Sequence, residues 1–401
     1  MSRNALSVSG SFHKLNQAWE TLFSRSSNRS RHTRGFDDES MLDFARNKDS
    51  NLRTIGRELA TSRPYGFSPL IAHLIPKTNG GNRVICIPTV RDRIVQRSLS
   101  DFFAVGDKCR LDNQVSFGFI PGKSVKKAAR KSCDLRATKR WAYKTDISKF
   151  FDNIERDRLA QAISKFVREK SLHPILVAAA NCEIAEDSQE RRKKIAQAGI
   201  CSGKGVRQGM PLSPFFANLI LRDFDTAIQC SNISMVRYAD DLIAFAETEL
   251  ECQNIHRVFV QELGRIELCV PDFGPNSKTK IFSPAETAEF LGLGIRPDGG
   301  SYVIEVLPDQ LKNIRQRIID SASFESLIKR NVTLGSYLRY IDGVLAGFAG
   351  AYDYCDNFPQ LEKMLSQCRN ESITLVLRDG LGIPVHGLSK EAKIFLGLDP
   401  L

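Results

Sequence analysis

The sequence lacks the marks of a secreted, zinc-bound or membrane-spanning chain. Its 10 cysteines are scattered and none stands in C-x-x-C spacing, which argues against a disulfide framework or a zinc ribbon. Several sit among apolar neighbours, such as Cys86 between Ile85 and Ile87, and are expected to be buried, reduced thiols of a cytosolic protein. The 6 histidines form no H-E-x-x-H cluster, so histidine-based metal hydrolysis has no support. There is no apolar N-terminal segment and no apolar run that could span a bilayer, so the chain is expected to stay in the cytoplasm, without a membrane partner. No internal repeat and no low-complexity linker is present. Two nucleotide-binding fingerprints also fail. Gly118 to Ser124 imitates a P-loop, but the first required glycine falls on Phe117; Gly292-Leu293-Gly294 opens a dinucleotide motif whose third glycine falls on Pro297.

What is present is length, a core and positive charge. A chain of 401 residues holds two or three domains or one multi-lobed enzyme. The net charge is +11, with basic residues gathered at Arg25, Arg29, Arg31 and Arg34, at Lys123, Lys126, Lys127, Arg130 and Lys131, and at Arg191 to Lys194. Each cluster could be a solvated helix face; together they suit a polyanionic partner. Residues 1–35 read as a polar arm with one short helix near Leu15–Phe23, and 36–62 as helical. Two apolar runs around Gly80-Gly81 predict a β-hairpin, followed by a helix from Asp92 to about Val105. Residues 141–147 alternate as a strand, with helices over 153–168 and much of 171–200, where Arg191 to Lys194 suggest an insertion. A turn-rich stretch from Gly205 leads into a helix near Pro214. Then come a hairpin over Met235–Phe245, a helix over 249–268, a strand at Phe290–Ile295 and a Pro-Asp-Gly-Gly turn. From Leu307 onward the pattern is helical.

Tyr238-Ala239-Asp240-Asp241 is the most informative stretch. Adjacent aspartates at the tip of an apolar hairpin repel one another and gain nothing from burial unless a cation neutralises them. Hard oxygen ligands suit Mg²⁺ or Mn²⁺. Asp146, at the end of a strand, would join them if the two strands lie side by side, as a split β-α-β core requires.

With these residues in order, the chain resembles the bacterial reverse transcriptases of the group II intron and retron branch. The likeness runs from about residue 50 to 295. It is carried by Ile75-Pro76-Lys77 with Gly80 to Arg83, Ile87 to Gln96, Ser116 to Ser124, Asp146 to Phe151, Gly205 to Pro214, Tyr238 to Asp241, Lys278-Thr279-Lys280 and Phe290-Leu291-Gly292. The resemblance implies an α+β right-hand polymerase: a basic N-terminal arm (1–35), fingers (36–140), a palm with an antiparallel sheet (141–300, with a fingers insertion near 171–205 as an option) and a helical thumb with the C-terminal region (301–401). It also implies residue roles. Asp146 and Asp240 would ligate two Mg²⁺ ions, with Asp241 less tightly bound and the Ile147 carbonyl as a further ligand; Mn²⁺ could substitute. Lys77 and Arg83 would grip the triphosphate of a dNTP, and Gln208-Gly209 would pack on the nascent base pair. Lys278, or Lys280, would protonate the leaving pyrophosphate. Phe290, Leu291 and Gly292 would hold the primer end. Phe151, five positions after Asp146, would block a 2′-hydroxyl, so the product would be DNA, with neighbouring Phe150 as core.

The chain ends roughly a hundred residues past Phe290, which leaves room for a thumb but hardly for an added endonuclease, and no ribonuclease H domain is expected. Val332-Thr333-Leu334-Gly335 departs from the Val-Thr-Gly of retron enzymes. The aromatic segment Tyr337 to Phe348 resembles the C-terminal region of defence-associated enzymes, which implies a structured noncoding RNA template, copied into DNA or an RNA–DNA hybrid during phage infection. An intron-type maturase that serves splicing by binding RNA, and template-free nucleotide addition by the same site, are the alternatives. Priming mode and oligomeric state stay open.

Overall fold

The computed structural model describes residues 4–61, 63–76, 82–185 and 189–398. The turn holding Lys77 lies outside them, as do the side chains of Arg191 and Lys194. The chain divides into two compact units, residues 1–124 with 143–280, and residues 125–142 with 281–401.

In the first unit, strands β1 (Ile71–Pro76) and β2 (Asn82–Ile87) pair antiparallel, with Ile75 opposite Arg83. Strands β3 (Trp141–Asp146), β4 (Ser234–Tyr238), β5 (Asp241–Ala246) and β6 (Lys280–Phe282) form a sheet of order β4-β5-β3-β6. The β4–β5 hairpin predicted from sequence is present, with Tyr238 opposite Asp241. Its apolar run is buried on both faces (Leu242, Ile243, Ala244 and Phe245 are at most 1% exposed), because helices cover the sheet on either side. Those helices include Ser213–Ile220, Arg222–Cys230 and Glu249–Gly264, the last capped by Thr248.

The N-terminal stretch is more ordered than its polar composition suggests. It forms helices Ala5–Ser9, Phe12–Arg25 and Asn28–Arg31. Leu15 and Ala18 are fully buried, and the Ser98 hydroxyl, on helix Val90–Ala104, donates to the Ser9 carbonyl at 2.7 Å. One face of an otherwise polar helix is enough to dock it.

In the second unit, strands β7 (Ala288–Phe290), β8 (Leu293–Asp298) and β9 (Ser301–Val306) form an antiparallel meander. The single strand expected over Phe290–Ile295 is in fact a hairpin. Leu291 and Gly292 both adopt positive φ (56° and 74°) and reverse the chain in two residues, which an apolar run does not advertise. A helix over Val125–Thr138, unassigned from sequence, packs on β9 and carries exposed Lys127, Arg130 and Lys131 on its outer face. The helical C-terminal pattern is realised in Pro308–Ala322, Tyr337–Tyr352 and Phe358–Leu375, packed around Ile314, Ile318, Ile341, Leu361 and Leu365. All 10 cysteines are free; burial pushes the Cys86 thiol up to about 12, whereas Cys201, Cys230 and Cys269 are exposed. Among the described residues no helix is long and apolar enough to cross a membrane.

Candidate active site

Asp146 closes β3, and Asp240 sits in the turn between β4 and β5. The two segments are tied at the backbone: the Ile147 N–H donates to the Asp240 carbonyl at 3.0 Å. Next to it the Ser148 N–H donates to the Cys269 carbonyl at 2.9 Å. These bonds exist because β3 enters the sheet beside β5, so residues almost a hundred positions apart end at one sheet edge.

Burial chiefly holds the Asp240 carboxyl above the ordinary carboxylate range, and the Asp146 charge acts in the same direction; its own backbone N–H, Lys278 and Arg83 oppose them. Lys278 pairs with Asp146 Oδ2, which singles it out from Lys280, a residue of β6. Between the two lysines Thr279 is buried, with its hydroxyl 2.7 Å from that of Thr145. A buried carboxylate with a second carboxylate beside it is a donor set that a hard divalent cation would relieve, so the residues fit Mg²⁺ or Mn²⁺. Among the described residues no group of three His, Cys, Asp or Glu side chains gathers for a metal, so the convergence is that of Asp146 with Asp240. Asp241, the first residue of β5, has its Oδ1 3.8 Å from Lys144 Nζ.

The expected nucleotide-contacting residues of the first unit lie on joined segments. The Cys86 N–H, on β2, donates to the Gln208 carbonyl at 2.7 Å. Gly209 has φ +105°, and a Cβ there would fall 2.4 Å from the Cys86 carbonyl oxygen, so only glycine lets the strand approach. The Val206 N–H donates to the Phe151 carbonyl at 2.8 Å, which seats Phe151 beside the same loop. Phe150 is buried in the core and Phe151 is half-buried. Arg83 is exposed on β2 and close enough to Asp240 to lower its pKa; Lys77 lies outside the described residues. Phe290, Leu291 and Gly292 form the β7–β8 turn of the second unit, with Phe290 1% exposed.

Two charged centres escaped sequence reasoning. Arg237 is buried in β4 against Asp225. Glu183, inside the supposed insertion, accepts from Arg156 (2.7 Å), Arg207 (2.7 Å) and the Gly203 N–H (2.7 Å). Burial opposes ionisation of Glu183, but these donors outweigh it and hold its pKa below the ordinary value. The signal for Arg237 was available, since a charge inside a strand buried on both faces must have a buried partner. Nothing in the sequence marks Glu183.

Residues 75–295, more than half of the chain, match the family model described as reverse transcriptase (RNA-dependent DNA polymerase). Protein YkfC of Escherichia coli K12 is 30% identical over 170 residues, covering 40% of this chain and 41% of that protein. A putative COX1/OXI3 intron 2 protein of Saccharomyces cerevisiae is 24% identical over 359 residues, covering 87% of this chain and 34% of its own length. The Retron Ec83 reverse transcriptase of Escherichia coli is 25% identical over 176 residues, 42% of this chain and 50% of that protein. The chain thus spans half or less of these curated relatives. A solved telomerase from Candida tropicalis superposes over 90% of this chain and 75% of its own, with TM-score 0.43 and 14% identity.

Proposed function

We propose, from the premise that this chain belongs to the reverse transcriptase family and has its right-hand fold, that it is an RNA-directed DNA polymerase. The observation that carries the reading is the meeting of Asp146 with Asp240 across the Ile147–Asp240 backbone bond, flanked by Lys278 and Arg83. Asp146, Asp240, Asp241 and the Ile147 carbonyl would hold two Mg²⁺ ions, or Mn²⁺. When bound, these supply Lewis-acid activation of the primer 3′-hydroxyl and charge stabilisation of the departing pyrophosphate.

The chain's own residues do the rest. Arg83, with Lys77, neutralises the triphosphate of the incoming dNTP. Gln208-Gly209 receives the nascent base pair, and Phe290 to Gly292 steady the primer end. Lys278 gives its proton to the pyrophosphate. The Phe151 ring excludes a 2′-hydroxyl, which it could neither fit nor hydrogen-bond, so dNTPs are selected over NTPs. The template is a dedicated structured noncoding RNA, bound by the basic surface, and the setting is cytoplasmic anti-phage defence. A second reading, service to an intron as an RNA-binding maturase, is favoured by the intron-encoded yeast relative that aligns over 87% of this chain.

The test is to purify the protein with the RNA it carries, supply Mg²⁺ with labelled dNTPs or NTPs, and sequence RNA and product. Expected is DNA complementary to one bound RNA, with dNTPs preferred and synthesis lost in Asp240→Asn. Bound RNA with no incorporation in either protein would sink the polymerase reading and favour the maturase.

A further inference from the structure

The turn that carries Asp240 is held in an unfavourable conformation by a buried ionic network. Ala239 has φ +57°, at the first central position of a two-residue hairpin turn where glycine is usual. A left-handed conformation is unfavourable for a residue that carries a Cβ. It persists when surrounding contacts over-determine it.

Arg237 supplies those contacts. Its Nη1 donates to the Ala239 carbonyl at 3.0 Å and to Asn218 Oδ1 at 3.2 Å, and its Nη2 donates to Ser116 Oγ at 2.8 Å. The same guanidinium is clamped on both oxygens of Asp225 (2.7 and 2.5 Å), and the two side chains are 1% and 2% exposed. Asp225 also accepts from Asn113 Nδ2 at 3.0 Å. The backbone of Arg237 is fixed too, with its N–H on the Val115 carbonyl (2.7 Å) and its carbonyl taking the Phe117 N–H (2.8 Å). Asn218 closes the circuit by donating to the Gly118 carbonyl at 2.9 Å, and a Cβ on Gly118 would lie 2.5 Å from the Ala239 nitrogen.

The peptide between Ala239 and Asp240 is planar and trans, so its C=O and N–H point in opposite directions. Anchoring the Ala239 carbonyl on Arg237 therefore aims the Asp240 N–H away from the network and fixes the backbone from which the Asp240 side chain departs. Resting on the polymerase reading above, we propose that Arg237 and Asp225 are a positioning pair that presents the Asp240 carboxylate to the catalytic divalent ion through the Ala239–Asp240 peptide. Neither touches substrate; both act through the turn. A buried ion pair is weak evidence of a role in stability, since apolar pairs of similar volume often serve as well. The observation that distinguishes this one is its contact with the carbonyl beside the metal-binding residue.

The test uses the full chain and Mn²⁺ as probe, with binding followed by electron paramagnetic resonance and folding by thermal denaturation. Arg237→Lys keeps the charge and the Asp225 pair, but one ammonium cannot span Asp225, Asn218, Ser116 and the Ala239 carbonyl as the planar fork does. Expected is Mn²⁺ affinity lowered about tenfold or more, and kcat lowered by about as much, with KM for dNTP little changed and the variant still folded. Asp225→Asn, which keeps the shape and loosens the clamp, shows the same pattern to a smaller degree and decides the matter if Arg237→Lys does not fold. Folded variants that bind Mn²⁺ and turn over like wild type overturn the positioning role. Wild type that binds Mn²⁺ but makes no DNA, while the variants bind it more weakly, refutes the polymerase reading and leaves the positioning role standing.

Discussion

Of the hairpins that reverse in two residues, β4–β5 and β8–β9 do so by opposite means. The β8–β9 turn uses Gly299 and Gly300 at φ 52° and 92°, and a Cβ on either would meet nothing within 4 Å. The β4–β5 turn uses Ala239 and Asp240, holds Ala239 at φ 57°, and is walled in by Gly118 on one side and Arg237 on the other. Glycine makes the first turn easy and unspecific. The second is a conformation the residues do not favour, kept by neighbours that leave it no alternative. Backbone strain with dedicated support marks the turn that carries Asp240, and relaxed geometry marks the glycine turn.

The contrast can be broken most directly at Gly118. Gly118→Ala places a methyl 2.5 Å from the Ala239 nitrogen and 3.0 Å from the Tyr238 carbonyl carbon, both backbone atoms that cannot swing aside. DNA synthesis should fall by about a hundredfold, and stability by about 1–3 kcal/mol, in primer-extension and thermal-melting assays. Gly300→Ala should cost about 1–2 kcal/mol of backbone strain and leave synthesis unchanged. Equal activities for the two variants would erase the distinction.

A second probe is pH. The folded chain holds Asp240 above its unfolded pKa, so it binds that proton more tightly than the unfolded chain does. Stability from this group is therefore present at low pH and is lost as pH rises through the unfolded and then the folded value. With a chelator present, Asp240→Asn should melt higher than wild type near neutral pH, and the gap should close below the ordinary aspartate range. Gly300→Ala should show no such pH-dependent gap. A gap that widened on acidification would contradict the electrostatics of the site. The smallest effect is expected from Ala239→Gly, where relief of strain is offset by the greater unfolded freedom of glycine. Melting should move by less than about 1 kcal/mol equivalent, and synthesis by less than about tenfold.

Much of this was legible in the chain. The apolar run around Tyr238 to Asp241 announced the hairpin and the place of Asp240 in its turn. Asp146 followed from a strand with an acidic end, and Phe150 lies in the core as expected. The β7–β8 turn was not legible, since Leu291-Gly292 interrupts an apolar run without any polar marker. The helix over Val125–Thr138 was hidden by its lysines and arginines, which disguise the buried face of small residues Ala128, Ala129 and Ser132. Glu183 was invisible for a different reason: its partners Arg156 and Arg207 are far away in sequence, and one carboxylate among many carries no local signature.

Glu183 has a practical consequence for anyone trimming the protein. Its backbone carbonyl takes the Leu70 N–H at 2.8 Å, at the entrance to β1, while its carboxylate holds Arg156 and the 2%-exposed Arg207. Cutting out residues 171–200 as a dispensable excursion would strip the half-buried Arg156 and the buried Arg207 of their anion, the latter the immediate neighbour of Gln208. The segment behaves as a keystone, and a shortened version would need a replacement carboxylate before it could be expected to stand.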